Sequence, residues 1–262
     1  MNHLATTDDL FFAQTGLDRA RTEALVREAL HGADDGELFL EFRESESLVW
    51  DDGRIRSASF DSSQGFGLRS VAGEATAYAH AAVLDEAALK RAVGTVCAVL
   101  AGHTGTLALP PVGTNRQLYT DANPLPQVEQ AAKVALLRDV DAYVRAADPR
   151  VRQVTVSLTG SWQAVQILRA DGCRVADVRP LVRLSVQVIL GEGDRQETGS
   201  YSGGGRVAYD AYLRPETWQP FADDALRRAA VNLQAIPAPA GEMTVVLGNG
   251  WPGILLHEAV GH

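Results

Sequence analysis

The period of the apolar positions changes several times along the chain, and each change marks an element. In GLDRARTEALVREALHG, Leu17, Ala20, Ala24 and Leu25 fall near one face and Gly32 follows as a stop. That spacing predicts an amphipathic helix from Leu17 to Leu30. The period then drops to two. ELFLEFRESESLVWDDGRIRSASFD alternates apolar and polar residues on both sides of Asp52-Gly53, a pair favoured in tight turns between antiparallel strands. GFGLRSVAGEATAYAH repeats the alternation around Gly73. A second helix is predicted from Asp85, which can cap its start, to about Ala101, before Gly102. A third runs from about Pro126 to Ala147 and closes at Asp148-Pro149. Between these two, HTGTLALPPVGTNRQLYTDANPLP reads as a long surface connection. Alternation returns from Val151 to Leu190, with Asp171-Gly172 as another hairpin turn.

GEGDRQETGSYSGGGRVAYD lacks the Gly-Lys-Ser/Thr of a phosphate loop and any dinucleotide fingerprint. It is read as a flexible surface loop, with a lid or a strand edge near a substrate as the rival reading, in which Tyr201 and the glycines at 203–205 border a groove. A helix follows from about Glu216 to Gln234, stopped by Pro237 and Pro239. After the break at Pro237 to Ala240, GEMTVVLGNG predicts a strand from Met243 to Leu247, and WPGILLHEAVGH a helix begun at Pro252. The expected class is α+β. Antiparallel sheets with packed helices form an N-terminal domain over residues 1–236, and residues 237–262 form a linker and the opening of a second domain.

Composition narrows the function. The chain has 262 residues, 46% of them hydrophobic, enough for a substantial core. A formal net charge of -9 argues against direct nucleic-acid or anionic-membrane binding. No signal peptide or membrane span is evident, so a cytoplasmic location is expected. Cys97 and Cys173 are the two cysteines, without metal-ligand spacing, and are expected to be small buried residues. His3, His31, His80 and His103 are scattered and read as surface or satisfied core residues.

The last ten residues, GILLHEAVGH, carry the candidate chemistry. Neutral imidazole is a good zinc ligand, and a carboxylate beside a metal-bound water can take its proton. His-Glu followed shortly by His is therefore the minimum kit for metal-assisted hydrolysis. His257 and His262 are five residues apart, however, which on a regular helix turns them roughly 140° from each other. Joint ligation requires one residue absorbed in a widened turn, and Gly261 makes such a distortion cheap. The alternative is an ordinary helix that happens to carry two histidines.

HEAVGH after GILLHE, together with DDGRIRSASFDSSQGFGLRSVAGEATAYAH and ETGSYSGGGRVAYD, resembles the TldD branch of the TldD/PmbA (TldE) metallopeptidases, once described as modulators of DNA gyrase. The resemblance runs over nearly the whole chain. It implies a zinc-dependent peptidase in which His257 and His262 bind the metal and Glu258 is the catalytic base. It further implies a third ligand, a cysteine in a β-rich catalytic domain beyond the motif, a role that neither Cys97 nor Cys173 matches. On this reading the sequence is an N-terminal portion cut just after the motif, and by itself binds zinc poorly and hydrolyses nothing. Implied partners are a TldE/PmbA-like paralogue in a heterodimer and unfolded or extended peptides, as in peptide maturation or antitoxin degradation. The rival functions are a non-catalytic peptide-binding or oligomerisation module and a regulator of a partner enzyme. Arg69 and Glu74 are expected to pair around the turn at Gly73.

Overall fold

The computed structural model describes residues 3–107 and 118–262, so residues 108–117 of the expected surface connection lie outside it. Six strands form one antiparallel sheet: β1 (Asp35–Asp51), β2 (Arg54–Ala72), β3 (Ala75–Ala81), β4 (Val151–Arg169), β5 (Arg174–Glu192) and β6 (Arg195–Gly205). Their spatial order is β3-β2-β1-β4-β5-β6. Five of these strands are the alternating segments of the sequence. The β1–β2 hairpin turns on Asp52 at φ 49° and Gly53 at φ 84°, the left-handed pair that a two-residue turn between twisted strands demands.

The alternation is read out on one face. Leu38, Leu40, Leu48 and Trp50 of β1 align across the ladders with Leu68 and Phe66 of β2 and with Leu168, Leu158 and Val156 of β4. The helices cover this face: α1 (His3–Asp8), α2 (Arg19–Ala29), α3 (Glu86–Val99), α4 (Gln130–Ala147), α5 (Asp210–Leu213) and α6 (Pro215–Gln234). Asp18 and Asp85 cap α2 and α3 by accepting from the amides of Arg21 and Ala88, both at 2.6 Å. One hydrophobic core joins α2 and α3 to the β1–β3 end, and a second joins α4 and α6 to β4 and β5. The opposite face carries mostly Ser, Thr, Gln, Glu and Arg, half-buried or exposed.

A polar seam runs through the second core, to which Leu125 and Tyr209 belong. Lys133, 1% exposed, gives its Nζ to Glu46 Oε1 at 2.6 Å and to the Leu125 carbonyl at 2.9 Å. The ammonium also sits 4.5 Å from the centre of the Tyr209 ring, and the Tyr209 hydroxyl donates to the same Glu46 oxygen at 3.0 Å. Burial, followed by the Glu46 charge, pushes the Tyr209 phenol well above its ordinary range. Gly160 makes the room, because a Cβ there would lie 2.0 Å from the Tyr209 hydroxyl.

Several expectations are corrected. Residues 3–13, over which the apolar pattern predicts no element, are helical, ending in a widened turn over Asp9–Ala13 that buries Phe11 and Phe12. The buried face of α2 is Thr22, Leu25, Val26 and Ala29, with Ala20 exposed. Leu125–Gln127 forms a separate 3-10 turn, and α4 starts only at Gln130 because Val128 and Glu129 are extended.

The glycine-rich segment is the edge strand β6, not a loop. Its glycines admit helix α6: a Cβ at Gly199 would meet the Ala225 carbonyl at 2.1 Å, and one at Gly203 the Phe221 ring at 2.3 Å. Tyr201 is committed to the same packing, its ring 5.0 Å from that of Phe221. Arg69 pairs with Glu37 (2.8 Å) and Asp35 (2.6 Å) rather than Glu74, since Glu37 is its direct cross-strand partner. Cys97 and Cys173 are exposed, lying outside the buried stripe of α3 and beside the β4–β5 turn. Residues 243–247 form no strand, because no neighbouring strand pairs with them.

Candidate metal centre

From residue 234 onward every residue is exposed except half-buried Pro252. Within this stretch α7 (Pro252–Leu256) begins with its proline in the first turn, where a missing amide hydrogen costs nothing. It runs directly into a π-helical turn over His257–Gly261. The amide of His262 donates to the carbonyl of His257 at 3.2 Å, the five-residue bond that defines the wider coil. This is the extra residue that the spacing of the histidines demanded. The two imidazoles consequently lie on one side, with ring centres 4.5 Å apart and planes at 75°.

Gly261 matters for a different reason from the one expected. Its φ is not in the left-handed region; instead, a Cβ there would lie 3.2 Å from His257 Nδ1, so the glycine leaves space beside the ligand ring. One donor atom from each of His257, Glu258 and His262 lies within 4.8 Å of the others. Donors about 2 Å from a shared zinc ion sit no more than about 4 Å apart. The donor set therefore fits a metal after a small movement that exposed side chains can make. Neither imidazole has a protein hydrogen-bond partner among the described residues.

Other histidines are separate from this group. His3 lies 3.6 Å from Asp121 and 3.7 Å from Asp177, whereas His31, His80 and His103 are exposed. Neither cysteine joins the histidine group. No described helix is long and apolar enough to cross a membrane.

Comparison with known proteins identifies relatives of the chain. Residues 36–100 match the PmbA/TldA metallopeptidase domain 1, and residues 123–233 match the PmbA/TldA metallopeptidase central domain. The first contributes β1–β3 and the second β4–β6, so one sheet spans both segments. The chain is 40% identical to a metalloprotease TldD homolog of Haemophilus influenzae, the match covering 87% of this chain and 49% of that protein. A metalloprotease TldD homolog of Buchnera aphidicola is 33% identical, over 88% of this chain and 50% of the relative. The chain thus spans about half the length of the curated relatives it matches. The fold is shared with TldE from Thermococcus kodakarensis, at a TM-score of 0.65 and 15% identity, covering 80% of this chain and 47% of that one. Two family segments in the right order, continuous similarity to TldD homologues and a common fold lead to one conclusion: the chain belongs to the TldD branch of the PmbA/TldD metallopeptidases, a family of metal-dependent enzymes.

Proposed function

We propose that the chain is the part of a zinc-dependent peptidase that carries two metal ligands, His257 and His262, and the catalytic base, Glu258. The observation that carries this reading is the widened turn at His257–Gly261, which brings two histidines five residues apart to one side. Zinc held there supplies Lewis acidity, polarising the scissile carbonyl and acidifying water at the site. The Glu258 carboxylate takes a proton from the attacking water and returns it to the departing amine. Two imidazoles leave a four-coordinate site incomplete, and a cysteine beyond this stretch of sequence is proposed as the third ligand.

The substrate class proposed is an unfolded or extended peptide. β3 pairs with β2 only from Phe66 to Ala72, so the outer edge of residues 54–65 has no described partner and is exposed except at half-buried Gly65. A peptide added along such an edge is held through its backbone with broad sequence tolerance, while folded proteins are excluded. A cytoplasmic heterodimer with a TldE/PmbA-like paralogue completes the proposal.

The test is cleavage of an unfolded peptide by the whole protein with its paralogue. Cleavage is expected, and both a chelator and Glu258→Gln are expected to abolish it. Peptide binding without cleavage, unaffected by either treatment, would instead establish a non-catalytic binding module. This chain alone is expected to hold zinc weakly, and stoichiometric zinc at submicromolar affinity in equilibrium dialysis would refute that expectation.

A further inference from the structure

In the GFGLR and AYAH segments Phe66, Leu68 and Ala77 point into the core, whereas Gly65, Gly67, Tyr78 and His80 lie on the other sheet face, where the proposed metal chemistry makes no use of them. There a cavity of about 330 Å3 opens on the uncovered face of the sheet, formed by Phe39, Glu41, Gly65, Gly67, Tyr78 and His80 among others. Its hollow depends on the two glycines. Neither has a left-handed φ, so space and not backbone conformation requires them. A Cβ at Gly67 would lie 2.7 Å from the Tyr78 hydroxyl, and one at Gly65 would lie 2.7 Å from the Ala81 carbonyl. Tyr78 can therefore lie across the strand, with His80 stacked beside it at 5.6 Å and 27°.

Glu41 is the one carboxylate among the residues that line this hollow. On the same sheet face, Glu37 is paired with Arg69, and Asp35 with Arg69 and Arg169. Glu41 has only the Gln163 amide, which donates to its Oε1 at 2.9 Å, and no ion pair with any described residue. A half-buried carboxylate beside exposed aromatic faces attracts a cation and repels an anion. The volume is near the lower end of ligand pockets, which run from about 300 to 1,000 Å3, and suits a group the size of one side chain.

We propose that this hollow binds an alkylammonium or guanidinium group, borne by a lysine or arginine side chain or by a free polyamine. Glu41 supplies the counter-charge, and Phe39 and Tyr78 supply the aromatic walls. The site involves neither His257 nor His262 and goes beyond the peptidase reading.

Calorimetric titration of the 262-residue chain, with a chelator present throughout, tests the site apart from any metal or hydrolysis. The probes are Nα-acetylarginine amide, its neutral isostere Nα-acetylcitrulline amide, and agmatine as a free amine. The arginine probe is expected to bind about tenfold more tightly than the citrulline probe, and Glu41→Gln to erase that difference. Tyr78→Ala, at a position 61% exposed and so safe for the fold, is expected to weaken the arginine probe about fivefold. Equal affinity for the arginine and citrulline probes, or arginine binding unchanged in both variants, overturns the proposal. Should Glu41→Gln fail to fold, Tyr78→Ala and the citrulline comparison decide. Tighter binding of agmatine than of acetylarginine amide identifies a free amine as the source, and the reverse order a peptide side chain; either order supports the site.

Discussion

The Lys133–Glu46 pair and the His257–His262 pair are opposite ways of placing polar groups. Lys133 is 1% exposed and satisfied by the nearby Leu125 carbonyl and by a carboxylate and an aromatic face from distant parts of the chain. The two histidines stand in solvent and are aligned only by the backbone of the turn between them. Metal-binding histidines normally hold a second partner through the other ring nitrogen, which fixes the ring. The widened turn therefore sets direction, while rigidity has to come from further contacts. The comparison teaches that the body of the protein is specified by tertiary contacts and the candidate metal centre by local backbone geometry.

The sharpest way to break this contrast is to remove one member of the buried pair. Lys133→Ala would leave Glu46 charged in the seam without its counter-ion. It is expected to cost about 3–5 kcal/mol, measured by urea denaturation. A loss below about 1 kcal/mol would show that water reaches the seam and that the two regions are less different than they look.

Acid should produce a smaller effect, also confined to the body. A hydrogen bond from Arg69 holds the Asp35 carboxyl below its ordinary 3.8, and one from Arg150 does the same for Asp148. A carboxyl depressed in the folded state contributes fully above its unfolded value and loses that contribution as pH falls through the folded one. From these groups, stability is expected to be flat between about pH 7 and 5 and to fall below about pH 4, with a shallower fall in Asp35→Asn. A urea midpoint that declines steadily from pH 7 would contradict this.

The smallest effect is expected in the exposed stretch. Removing residues 237–262 deletes no buried side chain, and should change the unfolding free energy of the remainder by less than about 0.5 kcal/mol. A loss of 2 kcal/mol or more, on the order of one good core contact, would mean that this stretch packs on the body in solution.

Legibility in the sequence followed the same division. The hairpin at Asp52-Gly53, the cap at Asp85 and the widened turn at His257–Gly261 are local, and residue type and spacing announced them. Lys133, Glu46 and Tyr209 were invisible because their partners are 87 and 163 residues apart in sequence. The glycines of β6 misled because their cause is the approach of α6, and a glycine without its neighbour looks like a loop. Tyr201 packs on the same helix rather than bordering a groove. The strands that frame the hollow beside Glu41 are legible in the alternation, but which residues meet there depends on the cross-strand register.

The central ladder has a consequence for how the chain assembles. β1 meets β2 through a two-residue turn, and β4 meets β5 just as locally, whereas β1 meets β4 across separations such as the 104 residues between Asp51 and Thr155. Each meander can zip up from its own hairpins, but joining them requires closing a very large loop, whose entropic cost is repaid only after many contacts form together. The β1–β4 ladder is thus the expected topological bottleneck of folding, and the contact of Lys133 with Glu46, 87 residues apart, carries the same kind of loop-closure cost.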